Sequence, residues 1–268
     1  MTSLRDSSYA ALMESDPQRK CLLVAKISNT QQQQPFDRPS FPPSSIHDVT
    51  TPGRPKSPEL VAPKFVKKRG ISTQLGRNYL MHALAHIEFN AINLALDAIY
   101  RFSDQPDDFY LDWLNVAADE ARHFSLVCDY LKTHNTAYGD FPAHDGLWDM
   151  CRRTANDIVD RMALVPRVLE ARGLDVSPAL IEKLKHQQDH AAVEVVNTIY
   201  HDEIEHVRIG SKWFNYHCEK RQLDPQKTFL NCIEKHLHGD LRGPFNLEAR
   251  HAAGFSANEM ENILNKYS

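Results

Sequence analysis

From residue 72 onward, apolar positions recur every three or four residues, and that period predicts helices. "STQLGRNYLMHALAHIEFNAINLALDAIYRF" places Leu80, Leu84, Ile87, Ala91, Leu94, Ala95 and Ala98 at helical spacing without an internal proline. Ser72 is the expected cap, and the helix is expected to end near Phe102. In the following "SDQPDD", Pro106 suits a first helical position, and Asp107 and Asp108 suit the positive end of a helix dipole. The second helix is expected to run to about Leu131. After the loop "HNTAYGDFPAHDG" a third helix begins near Leu147, and Gly173 is a natural stop. A restart is expected at Ser177–Pro178. The turn is placed near "HQQDH", residues 186–190, with a fourth long helix from about Asp189 to Arg221. β-Branched runs and two-residue hairpin signals are few, so the class is all-α.

The N-terminal quarter reads differently. "SYAALMESDPQRKCLLVAKI" predicts one or two short helices. Residues 30–63 then hold eight of the chain's fifteen prolines. Proline fixes φ and removes a backbone donor, so this stretch is expected to be an extended arm or linker rather than helix or sheet. The expected division is a helical segment at 1–29, a proline-rich arm at 30–71, a helical bundle at 72–221 and a C-terminal extension at 222–268 that packs on it.

Within the helical pattern, one pairing occurs twice. "ADEARHF" carries Glu120 and His123; "HDEIEHV" carries Glu203 and His206. Residues i and i+3 share a helix face, so each pair can serve one metal ion. Glu88 lies fourteen residues before Phe102, and Glu120 fourteen after Pro106. In an antiparallel hairpin both would sit ~21 Å from the turn, at one level. Glu170 and Glu203 reach a similar match only if the third helix is interrupted at 173–177 and the chain turns back near 186–190. The result is two single glutamates and two Glu-x-x-His pairs, which is the ligand pattern of dinuclear carboxylate bundles. Oxygen and imidazole donors suit iron foremost, or manganese. The neighbouring Asp119, Asp202 and Glu205 break the spacing and are expected to be surface or supporting groups. The metal-free alternative is a bundle with a buried salt-bridge network.

Composition narrows the partners. Hydrophobic residues make up 42% and charged residues 25%, with a formal net charge of −4. Bulk charge therefore offers no attraction to nucleic acid or acidic membranes. A local basic run, Lys64, Lys67, Lys68 and Arg69, reads as a solvated turn. The five cysteines are scattered and form no CxxC, which argues against a disulfide framework or a cysteine-bound metal and fits a reducing cytoplasm. No apolar run approaches a membrane span, and no secretory signal stands at the start.

Several further residues are candidates to support the site. His82 and His86 are spaced i,i+4 near Glu88, and one of them is placed to orient a carboxylate or else to serve as a core histidine. Tyr79, Tyr130 and Tyr200 read as core or as hydrogen-bonding groups near a metal centre. Asp202 joins Tyr200, His82 and His86 as a supporting candidate. His144, Asp145 and Trp148 in "HDGLWD" read as a cap on the third helix rather than a lid. Arg161 and Arg167 can neutralise nearby acids, and Asn246 and Arg250 can hydrogen-bond across the bundle.

The blocks "GRNYLMHALAHIEFNAINLALDAIYRF", "FYLDWLNVAADEARHF", "YGDFPAHDGLWDM", "RMALVPRVLEARGLD", "DEIEHVRIGSKWF" and "PFNLEARHAAGF" resemble an uncharacterised bacterial domain family of the ferritin-like superfamily. The resemblance spans roughly residues 8–257, and the tract "QQQQPFDRPSFPPSS" looks like an insertion in it. More distantly, the chain is similar to the tRNA hydroxylase that oxidises the isopentenyl group of a modified adenosine. The resemblance implies a ferritin-like four-helix bundle and a dinuclear site, with Glu88, Glu120, His123, Glu170, Glu203 and His206 as ligands. The leading expectation is an oxygen-dependent hydroxylase or oxidase that uses a small-molecule substrate and an external electron donor. Ferroxidase or storage activity and peroxide removal are the metal-based alternatives. Storage needs a cage, which the long arms disfavour, and a rubrerythrin-type redox domain needs CxxC pairs, which are absent. With a net charge of −4, tRNA is a minority option.

Overall fold

The computed structural model describes residues 3–33, 48–67 and 69–267. The chain is all-α. Among the described residues the only strand-like pairing is an isolated bridge between Leu60 and Ala143. The helices gather into two compact units, residues 1–152 and 153–268.

The first unit is built on a helical hairpin. Helix α1 spans Leu4–Met13, α2 Pro17–Gln33, α3 Gln74–Arg101, α4 Asp107–Thr133 and α5 Gly146–Arg153. Helices α3 and α4 pack along their lengths, with α1 against α3 and α2 against α4. The cap of α3 is Thr73, one residue beyond the expected Ser72; its hydroxyl accepts the Gly76 N–H at 3.1 Å. Pro106 is likewise the cap of α4 rather than its first residue, and Asp107 and Asp108 fill the first turn. The C-terminal half of α3 is buried on every side, from Glu88 through Arg101. Lys20 joins three helices. Its ammonium donates to the carbonyls of Ala11 (3.1 Å) and Leu12 (2.8 Å) and to Asn93 Oδ1 (2.6 Å). Burial draws the amine down to about 7, while three oxygen acceptors match the three N–H groups of its charged form.

The proline-rich segment divides three ways. Residues 30–33 continue α2, contrary to the expectation of an extended arm from residue 30. The tract at 34–47 lies outside the described residues. Residues 48–62 run extended against the loop after α4: Val61 N–H donates to Ala143 O at 2.9 Å, Trp148 Nε1 to Thr50 O at 3.1 Å, and Arg54 pairs with Asp145 at 2.9 Å.

The second unit holds α6 (Ile158–Leu164), a π-helical segment (Val165–Glu170), α7 (Ala171–His186), α8 (His190–Lys220), α9 (Pro225–Leu237), α10 (Leu247–Ala252) and α11 (Ala257–Tyr267). Here the expected break is misplaced. Gly173, Ser177 and Pro178 all lie inside α7. The third helix is instead interrupted at residues 154–157 and widened at 165–170. Pro166 supplies a reason: its missing N–H removes one i→i−4 bond, and its ring crowds the carbonyl one turn back, which a wider turn relieves. Gly210 of α8 makes room for that ring, because a Cβ there would fall 2.3 Å from Pro166 Cβ. The turn after α7 is where the sequence placed it. Gln188 takes φ +56°, and Asp189 caps α8 by accepting the Ala192 N–H at 3.1 Å.

The C-terminal segments clamp this unit. Buried Arg167 donates to Glu259 Oε1 (2.6 Å) and Ser211 Oγ (3.2 Å), and its guanidinium lies 4.4–4.5 Å from the rings of Phe214, Phe229 and Phe255. Arg250 forms a fork to Asp175 at 2.9 and 2.7 Å, both side chains buried. Asn246 donates to Leu174 O and to the Tyr200 hydroxyl, each at 3.1 Å. Arg161 turns to Thr154 Oγ1 at 2.9 Å rather than to an acid.

Two substitutions test these contacts by denaturant unfolding. Asp175→Ala leaves Arg250 buried and uncompensated and should cost about 3–5 kcal/mol. Gly210→Ala forces α8 against the Pro166 ring and should cost about 1–3 kcal/mol. A neutral result for Gly210→Ala would remove the close approach from the account of the π-helical segment.

Candidate metal centre

The hairpin register brings Glu88 and Glu120 to one level. From α4, His123 turns Nδ1 toward both carboxylates, 3.3 Å from Glu88 Oε2 and 3.3 Å from Glu120 Oε2. Donor atoms of the three residues all lie within 4.8 Å of one another. Glu120 and His123 are fully buried and Glu88 is 2% exposed. A single imidazole N–H faces two carboxylates, so at most one negative charge is balanced within the trio. Burial and the nearby Glu120 charge push Glu88 up to about 8. Burial opposes the charged form of His123, but the hydrogen bonds and charges of Glu120 and Glu88 outweigh it and raise the ring to about 10. Both shifts favour the protonated form: burial and the Glu120 charge disfavour a second carboxylate on Glu88, and the two acids hold the imidazolium form of His123. Two oxygen donors and a ring nitrogen at this spacing fit a divalent ion.

The second unit carries the other three sequence-predicted ligands. On α8, Glu203 and His206 share a face, with His206 Nδ1 3.9 Å from Glu203 Oε2, and both are buried. Glu170 ends the π-helical segment and is also buried. Among the described residues it does not join Glu203 and His206 in a three-donor group of the kind formed by Glu88, Glu120 and His123.

The histidines near Glu88 have another task. Both ring nitrogens of His86 are engaged, Nδ1 with the Tyr138 hydroxyl at 2.9 Å and Nε2 with the His144 carbonyl at 3.1 Å. His82 Nε2 accepts the N–H of Gly139 at 2.9 Å, where φ is +110° and glycine is favoured. These contacts fix the loop after α4 rather than orient a carboxylate. Burial lowers both rings to about 4, so they are neutral, as an acceptor nitrogen requires. Tyr200 bonds Asn246. Asp202 is half-buried. Tyr79 stacks on Phe141 at 3.8 Å, and the Tyr130 hydroxyl accepts from Gln74 at 3.3 Å. Asp119 pairs with Arg122 at 3.0 Å and Glu205 with Arg208 at 2.6 Å, both as surface groups. His144 accepts the Gly146 N–H at 3.2 Å at the start of α5, a capping role. Tyr138, which locks His86, carried no periodic or spacing signal that could have singled it out.

Residues 13–261 match the family model described as "Protein of unknown function (DUF455)". An uncharacterized protein of Haemophilus influenzae is 45% identical over 260 residues, covering 94% of this chain and 90% of the relative. No solved structure matches the chain.

The trio makes a pH prediction for chelator-treated protein. Glu88 keeps its proton in the folded chain up to about 8, while the unfolded carboxyl loses it near the ordinary 4.5. Folded His123 stays protonated up to about 10 against an ordinary 6.5. In both cases the folded state binds more protons, so stability falls as pH rises from about 6 to 9. Thermal midpoints measured across that range should decline, and Glu88→Gln should flatten the decline below about pH 8. A midpoint that rises over this interval would contradict the assignment.

Proposed function

We propose that this chain, which belongs to the DUF455 family, is a ferritin-like dinuclear metal protein and an oxygen-dependent oxidoreductase. The observation that carries the reading is the buried trio, in which two carboxylates face one imidazole nitrogen with all donors within 4.8 Å. The repeat of the same Glu-x-x-His pair on α8 supports a second ion. In this reading the ligands are Glu88, Glu120, His123, Glu170, Glu203 and His206.

Bound there, two iron or manganese ions would supply the redox chemistry for activating dioxygen. The chain's own residues set the conditions. Glu88 would release its proton to solvent and bind beside Glu120 as a carboxylate, and His123 would have to lose its Nδ1 proton to become a donor. Phe89 and Phe124, each next to a ligand in sequence and with ring centres 5.6 Å apart, pack the α3–α4 interface and exclude water. His82 and His86 keep the adjoining loop in place. The substrate is read as a small molecule and the reductant as a separate donor, because no CxxC redox motif is present in the chain.

Metal analysis by mass spectrometry, on protein purified without chelator, tests the reading. We expect near two iron or manganese ions per chain, and at least a several-fold loss in the double variant Glu120→Ala with Glu203→Ala. Added Mn(II) should also raise the thermal midpoint of chelator-treated wild type and leave that of the double variant unchanged. A wild type that is metal-free and takes up neither Fe(II) nor Mn(II) would overturn the proposal and leave a buried polar network.

A further inference from the structure

The first unit has a cavity that the metal reading does not use. It lies between the N-terminal half of α2 and the outer face of α4 and has a volume of about 830 Å³, within the ~300–1,000 Å³ of small-molecule sites. Its lining is mainly apolar, with Asp16, Arg122, Asp129 and Lys132 as its charged members. Leu22 and Cys21 line it from α2, Ala121, Phe124 and Cys128 from α4, and Tyr138 from the loop beyond. Leu22 is 69% exposed at the lip.

The cavity is a different place from the metal centre. At ~100° per residue, Ser125 on its wall lies ~140° around α4 from Glu120. The two sites nevertheless share structure. Ala121 and Phe124 each follow a candidate ligand directly. Phe124 meets Tyr138 edge-to-face at 5.1 Å, and the Tyr138 hydroxyl reaches His86, two residues before Glu88.

The lining carries no net charge to attract an ion. Arg122 is paired with Asp119 at 3.0 Å, and Lys132 with Asp129 at 2.8 Å. Burial pushes both thiols up, Cys128 to about 12, so neither is a thiolate at neutral pH. The remaining charge, Asp16, is exposed at the rim and accepts the Arg19 N–H at 2.8 Å, so a charged guest in the cavity would lose hydration without a buried counter-ion. We propose that this cavity is a binding site for an uncharged, largely apolar small molecule, separate from the metal centre and linked to it through α4 and Tyr138. The site does not depend on the metal reading and can fail or stand without it.

The test uses the full chain and N-phenyl-1-naphthylamine, a neutral fluorophore. Binding should be saturable at one site and at least ~10-fold tighter than that of the anionic 8-anilinonaphthalene-1-sulfonate. Ala25→Trp and Ser125→Trp, both at exposed lining positions, should weaken it ~10-fold or more while leaving metal content and thermal midpoint as in wild type. In wild-type protein, saturating fluorophore should raise the thermal midpoint, a second readout that needs no variant. Absence of saturable binding, equal affinity for the sulfonate, or an unchanged midpoint would overturn the proposal.

Discussion

Two carboxylates share one imidazole nitrogen in a place that water does not reach. That shortage of positive charge is the constraint around which the α3–α4 hairpin is organised. Removing a carboxylate from water costs several kcal/mol unless a cation or proton accompanies it. On Glu88 and His123 protons serve, and both groups are shifted toward their protonated forms. A divalent ion answers the same need better, since it brings two charges to the point where the donors converge. The half of α3 that carries Glu88 is buried on every side, and Glu120 and His123 lie on the buried face of α4, so packing leaves the acids little freedom to swing out to solvent.

The remainder of the first unit secures that hairpin. Lys20 fastens α1 and α2 to Asn93 of α3. The extended segment at 48–62 braces the loop that His82 and His86 grip. The two histidines therefore act on the site at one remove, by holding chain rather than by touching the acids. In the second unit the equivalent effort goes into arginines. Arg167 and Arg250 are buried, each paired with an acid and set against aromatic rings, and they fasten the C-terminal helices to the π-helical segment and to α7. Guanidinium suits this use because it stacks on aromatic faces while it donates in its plane.

The π-helical segment ends on Glu170, one of the six ligands of the proposed centre. Wide turns of this kind often mark places where function overrides regular hydrogen bonding. Pro166 starts the departure, and Gly210 of α8 accepts its ring. The position of Glu170 is thus set by a proline and a glycine that are not themselves donors, and a straight-helix count placed it only approximately.

The sequence by itself determined the helical class, the α3–α4 turn, the start of α8 near Asp189 and the shared level of Glu88 and Glu120. All of these follow from short-range rules: a 3.6-residue period, capping side chains and a fixed rise per residue act within one or two elements. It placed the break in the third helix at Gly173 and Pro178, because those residues usually end helices. The tertiary structure decided otherwise. Packing of α7 against α8 and of Arg250 against Asp175 holds the helix through both positions, while Pro166 disturbs it earlier. The partners of His82 and His86 were also beyond the sequence, since Tyr138, Gly139 and His144 lie more than fifty residues along the chain. Local propensity selects the elements; which distant group meets a given side chain depends on how those elements pack, and no spacing rule carries that information.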